Sequence, residues 1–224
     1  MRRGDPLVTT RTHVLGLLAS IDHLVYATPD LELGIREVEN LLGIRATAGG
    51  QHPGRGTRNA VIALGPAAYL EIIGPDPGQP TPAWPRWFGI DNLERSTLVT
   101  WAAKTDDLDR MQRVALANGI PIGEVRSGSR RRSDGVLLSW RLTEPSNGPD
   151  NGVIPFFIDW GASPHPSQTS APGAMLTELR AEHPDSERMQ RSLRVLGLHM
   201  AVTPSHQPAL IAIVDGRHGR VELR

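Results

Sequence analysis

The 224-residue sequence has no cysteine. Disulfide frameworks, thiolate metal sites and cysteine nucleophiles are therefore excluded, and any metal must take histidine, carboxylate or water. Nor is there an excess of charge of either sign, since 24 Lys plus Arg balance 24 Asp plus Glu. No long-range field draws such a chain to nucleic acid or to anionic lipid, and neither is expected as a partner. A long apolar run is missing too. The longest near the start, Val14 to Ala19, is interrupted by Gly16 and falls far short of the roughly 20 residues needed to span a bilayer, so no membrane partner is expected. There is no G-x-S-x-G elbow, no phosphate-loop pattern and no H-E-x-x-H helix. The Gly-rich run GGQHPGRG does not match a dinucleotide fingerprint, and it follows a helix where that fingerprint would follow a strand. Nucleotide binding is discounted.

What is present is length enough for one large domain or two small ones, either able to bury a core without staples. Residues 1–19 read as an N-terminal extension, disordered or strand-like. Arg2, Arg3 and Arg11 would suit a signal peptide, but its apolar region would be short and no small-residue cleavage site is evident, so a cytoplasmic location is the default. Beyond the extension, one grammar occurs three times: a β-rich run, an acidic cap, an amphipathic helix and a stop glycine. In the first copy IDHLVYAT is the strand, Asp30 the N-cap, Leu31, Ile35, Val38 and Leu42 the apolar stripe, and Gly43 the stop. In the second, TLVTWAAKT leads through Asp106 or Asp107 to Leu108, Met111, Ala115 and Leu116 and stops at Gly119. In the third, AMLTELRA leads through Asp185 or Ser186 to Met189, Leu193 and Leu196 and stops at Gly197.

The spacing of these glycines suits a supersecondary module with room for three further strands rather than a solenoid repeat. In the first unit TRNAVIALG and AYLEIIG are β-like, and GGQHPGRG reads as a loop. The second offers IPIGEV, DGVLLSWRL and VIPFFIDWG; the third, shorter, offers HMAVTP, ALIAIVDG and RVELR. Between the first two units, GPDPGQPTPAWPRWFG reads as an extended connection that packs Trp84, Trp87 and Phe88 onto the domain. The expected fold class is α+β, with paired βαβββ modules over residues 20–161 (about 20–75 and 97–161) and a partial third unit over 174–224.

IDHLVYATPDLELG, followed by GGQHPGRGTRNAVIALG and AYLEIIG, resembles the glyoxalase-like domain of the vicinal oxygen chelate superfamily, and PFFIDWG in the second unit is similar to it as well. The resemblance covers roughly residues 20–161. It implies two βαβββ modules whose sheets curl toward each other and enclose a cup, with a small-molecule ligand and any divalent metal bound inside. It also implies ligands on the first and last strand of each module, and a metal that acts as a Lewis acid on vicinal oxygens. Carried over residue by residue, His23 and Glu71 supply the first module's pair. In the second, Thr100 falls opposite His23, with Val99 or Trp101 one residue away, and none is a credible ligand; Ile158 falls opposite Glu71, with Asp159 one position out and restored only by a bulge. The metal set is thus His23, Glu71 and Asp159, for manganese, iron, nickel or zinc. The third unit offers Glu178 and Glu222 at the corresponding places.

Other residue types point to the same cup. Glu71 stands among Leu70, Ile72 and Ile73, where an unpaired carboxylate is costly to bury, so it should meet a metal, a cation such as Arg58, or water. His52, in a glycine-rich loop stiffened by Pro53, is a candidate third ligand or general base, with Glu71 as its catalytic partner. Thr57 and Asn59 are candidate hydrogen-bonding groups for a substrate, and Arg132, from the triplet Arg130, Arg131 and Arg132, is a candidate counter-charge for an anionic one. Two functions stay open: a metal-dependent lyase, isomerase or dioxygenase acting on a small oxygen-rich molecule, or a metal-free small-molecule-binding protein of the same fold. The third unit either covers a sheet edge or makes a homodimer contact.

Overall fold

A computed structural model describes residues 16–132, 135–145 and 150–224. The expected extension therefore falls outside the described residues up to residue 15; residues 16–20 are helical and lead directly into the first strand. The first unit is β1 (Ile21–Ala27), α1 (Leu31–Leu42), β2 (Thr47–His52), β3 (Thr57–Ala63) and β4 (Tyr69–Pro75). The second is β5 (Thr97–Lys104), α2 (Leu108–Ala117), β6 (Val125–Arg131), β7 (Leu137–Thr143) and β8 (Phe156–Asp159). The third is β9 (Met175–His183), α3 (Ser186–Val195), β10 (Ala201–Pro204), β11 (Ala209–Gly216) and β12 (Gly219–Leu223).

The helix grammar has a direct physical basis. Asp30, Asp107 and Asp185 each cap a helix by accepting from the backbone N–H three residues on, satisfying a donor that the first turn leaves open. Gly43 ends α1 in the left-handed region at φ 69°, where a Cβ would be strained and would also run into the His218 ring.

Eight strands form one curled sheet in the order β2-β3-β4-β1-β5-β8-β7-β6. Each module contributes four strands, and β1 pairs antiparallel with β5 at the seam. The curl brings the outer strands β2 and β6 together, so that a Cβ built on Gly50 would lie 3.2 Å from Arg130 Nη1. One face of the sheet packs Leu24, Tyr26, Leu70, Ile72 and Trp101 against α1 and α2. The concave face carries a second cluster, with Val25, Ile73, Leu142, Phe156 and Ile158 packed by Phe88, Trp140 and Trp160. Both faces are covered, which is why β1 is buried along its whole length.

The third unit has the same element order but its own four-stranded sheet, β10-β9-β11-β12, with β9 central rather than at the edge. Its apolar face joins the core that α1 covers, and it clamps the end of α1, where Arg217 N donates to Leu42 O at 2.8 Å. Glu178 and Glu222 both meet Arg180, at 3.4 and 3.1 Å, as partly exposed ion pairs.

Two strand boundaries differ from the expectation. GGQHPGRG is not all loop, since β2 runs through Gly49 and Gly50 to His52, and a bulge between Ala48 and Gln51 lets it bend along the rim. The second unit's strand begins at Val125, where IPIGEV ends, and continues through Arg131; the tertiary pairing with β7 overrides the weak local signal of RSGSRR.

Candidate functional site

The concave face closes over a cavity of about 40 Å³ lined by His23, His52, Asn59, Tyr69, Glu71 and Arg130 with an aromatic and apolar remainder. One water needs roughly 10–15 Å³ on the same measure, so the inner chamber takes only a few water-sized groups. Behind His52, Trp87 and Trp140 it adjoins a wider pocket of about 290 Å³ that includes Arg55, Arg126 and Gly128. Trp140 lies flat across Gly128, where a Cβ would meet its indole at 2.6 Å. Trp87 and Phe88 reach the cavity from the Pro-rich connection, while Trp84 is exposed.

Glu71 is the centre of the polar wall. It is 8% exposed, on β4 beside the strands that carry His23 and Asn59. Asn59 Nδ2 donates to Glu71 Oε1 at 2.5 Å, and Asn59 Oδ1 accepts from Gly50 N at 3.0 Å, which fixes the amide's orientation. The paired glycines of β2 make this seat: a Cβ on Gly49 would lie 2.0 Å from Asn59 Oδ1. His23 Nε2 stands 3.7 Å from Glu71 Oε2, and His52 Nε2 stands 3.8 Å from Oε1. Arg58 does not pair with Glu71; it reaches Glu32 at 2.8 Å and Asp76 at 3.7 Å.

Each imidazole is held from behind. His52 Nδ1 meets Thr57 Oγ1 at 3.0 Å, and burial above all, helped by the charges of Arg130 and Arg55 and opposed by that of Glu71, lowers its pKa. His23 stacks on Tyr69 across the β1–β4 ladder, 4.6 Å between ring centroids, and its Nδ1 meets Asp22 Oδ1 at 2.7 Å. Asp22 should alternate onto the far face, but the register shifts between Ile21 and His23, and that irregularity re-aims it. Its other oxygen takes His165 Nε2 at 3.1 Å, and Trp160 Nε1 spans both oxygens at 3.2 Å. Burial works against the Asp22 charge, yet the bonds to His165 and His23 outweigh it and hold the carboxyl well below the usual carboxylate range. Tyr69 is pushed well above its usual value, first by burial and then by the charges of Asp22 and Glu71, and stays protonated.

The sequence-derived residues therefore divide. His23, His52, Asn59 and Glu71 converge in the cavity, and Thr57 buttresses His52 from behind. Asp159 lies outside the cavity, accepting from Gly161 N at 2.8 Å, while its neighbour Ile158 faces in, as strand alternation requires. Arg132 lies outside it too, donating to Thr169 Oγ1 at 2.9 Å; the arginine of the triplet that lines the cavity is Arg130, the one buried residue of β6. Sequence reasoning singled out the triplet but took Arg132 from it rather than Arg130, and it passed over Asp22 and His165. Once β6 is recognised as a strand, two-residue alternation along the triplet separates Arg130 from Arg131, but His165, on the crossover after β8, carries no local signal.

Whether these residues fit a divalent metal is a question of donors. The first module offers two imidazoles and a carboxylate, with each Nδ1 anchored as metal-ligating histidines often are. The second module faces them with Leu142, Phe156 and Ile158 and with a guanidinium, which repels a dication. Among the described residues no group of three His, Asp or Glu is gathered so as to hold a metal ion. The set does not fit an ion shared between the two modules.

The chain is similar to known proteins at the level of fold. Among solved structures, a hypothetical protein from Staphylococcus aureus is 12% identical, with a TM-score of 0.64 over 86% of this chain and 90% of that one. Two methylmalonyl-CoA epimerase structures match more loosely. The Mycobacterium tuberculosis protein is 21% identical, with a TM-score of 0.40 over 64% of this chain and 87% of that one. A second, in complex with methylmalonyl-CoA and NH4+, is 22% identical, with a TM-score of 0.47 over 66% and 99%. No functionally curated protein sequence matches the chain. A family model described as a glyoxalase-like domain matches residues 21–197, across both curled modules and the start of the third unit. The chain belongs to the glyoxalase-like domain family, within the vicinal oxygen chelate superfamily.

Proposed function

We propose that the cup is a catalytic small-molecule site whose work is proton transfer at a carbon or oxygen of the bound molecule, carried by Glu71 with His23 and His52. One observation carries the reading: a buried carboxylate with an imidazole Nε2 on either side, at 3.7 and 3.8 Å. Those gaps exceed a hydrogen bond. An ionised Asp22 can only accept, so the His23 Nδ1–H is directed at it and Nε2 is left facing Glu71 Oε2. Neither Nε2 has a hydrogen-bond partner among the described residues, and both rings line the cavity beside Glu71, where a hydroxyl or an acidic C–H of a ligand would meet them.

The roles follow from the surroundings. Asn59 occupies Oε1 of Glu71, which leaves Oε2 to take a proton. His52, kept neutral by burial and anchored on Thr57, hands a proton to a developing oxyanion or accepts one through Nε2. This is chemistry of the isomerase or lyase kind, proton abstraction beside a carbonyl.

The test needs no known substrate. Small α-substituted carboxylic acids and α-hydroxycarbonyl compounds are incubated in D2O with the protein, and exchange at Cα–H is followed by NMR. The wild type accelerates exchange of at least one compound, and Glu71→Gln loses about 100-fold or more of that rate, as expected of a general base. Exchange that Glu71→Gln leaves unchanged overturns the assignment, as does silence across the whole panel. Elemental analysis after dialysis without chelator, with anaerobic reconstitution by manganese, iron, nickel or zinc, is the companion measurement. Near-stoichiometric metal that disappears in His23→Ala would replace this reading with a metal-dependent one.

A further inference from the structure

Among the described residues, two donors in the cup wall are buried without a partner: Arg130 Nη1 and Trp87 Nε1. Arg130 is 7% exposed, and among the described residues no carboxylate pairs with it. A buried guanidinium N–H left without an acceptor is destabilising, because it has lost water and gained no partner. The architecture nonetheless builds a seat for it. Arg130 is the one buried residue of β6, the sheet curls until β2 reaches it, and Gly50 leaves open the space beside Nη1. Glu71, the acidic group of the same wall, is bound by Asn59 instead. A buried donor left without an acceptor in a cavity wall breaks a local rule of stability, and such breaks are expected where a ligand completes the site.

We propose that the molecule bound in the cup is a small organic carboxylate, its carboxylate group received by Arg130 Nη1 and Trp87 Nε1 and its apolar or aromatic body lying against Phe88, Trp140 and Phe156. The two donors supply charge and direction for one oxyanion head, the geometry for which arginine is suited. The aromatic side chains of the lining give the body a surface that water does not compete for. The inner chamber is narrow, so the carboxylate and the reacting carbon enter it while a longer body extends past Trp87 and Trp140 into the 290 Å³ pocket. An anion on Arg130 also offsets a charge that, after burial itself and against the pull of Glu71, keeps His52 from taking a proton. This inference deepens the proton-transfer reading and rests on the cup being a ligand site.

The test compares acids with their amides. Phenylacetate, benzoate and short 2-substituted carboxylates are measured against the matched neutral amides and against inorganic phosphate, by calorimetry and thermal shift on the full chain. At least one carboxylate binds about 10- to 100-fold more tightly than its amide, the range of a hydrogen bond to a charged group. Arg130→Met loses that preference while its own thermal stability is unchanged or higher, since an unpaired buried charge is gone. Arg130→Lys keeps part of the preference, and Trp87→Phe weakens acids while sparing amides. Amides binding as well as acids, phosphate outcompeting every carboxylate, or Arg130→Met binding carboxylates like the wild type would each overturn the proposal. If Arg130→Met does not fold, the acid–amide comparison on wild type and Trp87→Phe still decides. Glu71→Gln separates the two readings. Acids that bind through Arg130 with no Cα–H exchange leave this inference standing and sink proton transfer; exchange that treats acid and amide alike does the reverse.

Discussion

Replacing Asp22 by Asn removes a charge and changes almost no volume. Asp22 is 1% exposed, and its oxygens receive His23 Nδ1, His165 Nε2 and both contacts of Trp160 Nε1. An asparagine keeps one acceptor and turns an NH2 toward a donor, so one N–H is left facing another. An unsatisfied buried donor costs about 1–3 kcal/mol, and loss of the charge weakens the bonds that remain, giving roughly 2–4 kcal/mol in all. For a chain of this length each kcal/mol moves Tm by about 2–4 °C, so a fall of roughly 5–15 °C is expected at pH 7. The pH dependence is the sharper check. The folded pKa of Asp22 is depressed, so its contribution is fully present above the unfolded value and is lost as pH falls below it. With an unfolded value near 3.9, about 1.2 kcal/mol of the gap should have closed by pH 3. Urea melts of both proteins at pH 7, 4 and 3 measure this. An Asp22→Asn protein as stable as wild type at pH 7, or a gap that stays constant down to pH 3, would refute the account of Asp22 as an ionised anchor for two histidines.

Gly49→Ala should cost about 1–3 kcal/mol by overpacking against Asn59, 2.0 Å from the new Cβ. In an Asn59→Ala background the same change should cost markedly less, and a double-mutant cycle with no coupling would reject the clash. His52 has a depressed folded pKa, so stability should decline as pH drops below about 6.5, where the unfolded chain takes a proton that the folded one does not. His52→Gln should flatten that decline, seen as a smaller loss of urea midpoint between pH 7 and pH 5; parallel curves would reject it. Truncation after residue 173 strips apolar partners such as Leu179, Leu193 and Ala212 from the core shared with α1. The shortened chain is expected to lose its cooperative thermal transition, and a sharp transition near the full-length midpoint would show the third unit to be dispensable.

The fold was legible where one local rule acts alone. Asp30, Asp107 and Asp185 cap their helices because a short carboxylate before an apolar stripe has little else to do. The stop glycines mark the ends because left-handed backbone excludes most other residues. The sheet order of the third unit was not legible. β9 lies between β10 and β11 through non-local pairing, which the sequence of any single strand does not encode. The strands that local reading shortened or missed, β2 and β6, are the two outer strands of the curled sheet. Both are rich in Gly, Ser or Arg, and they are strands because a neighbour supplies their hydrogen bonds.

The same distinction explains which site residues could be found. His23 and Glu71 stand in apolar central strands, where a polar residue is conspicuous because its burial must be compensated. Arg130 stands in a polar outer strand, where an arginine looks like any solvated one, and its burial arises only when the sheet closes and brings β2 against β6. A bulge hides Asp22 in a different way, because alternation assigns it to the helix-facing side until one irregular residue turns it toward His23 and His165. Chemistry carried by central strands is therefore readable from composition and period, whereas chemistry created by closure of the sheet is not. The Arg130 Nη1 donor belongs to the second kind, and the partner it lacks among the described residues is the strongest physical constraint this cup places on what it binds.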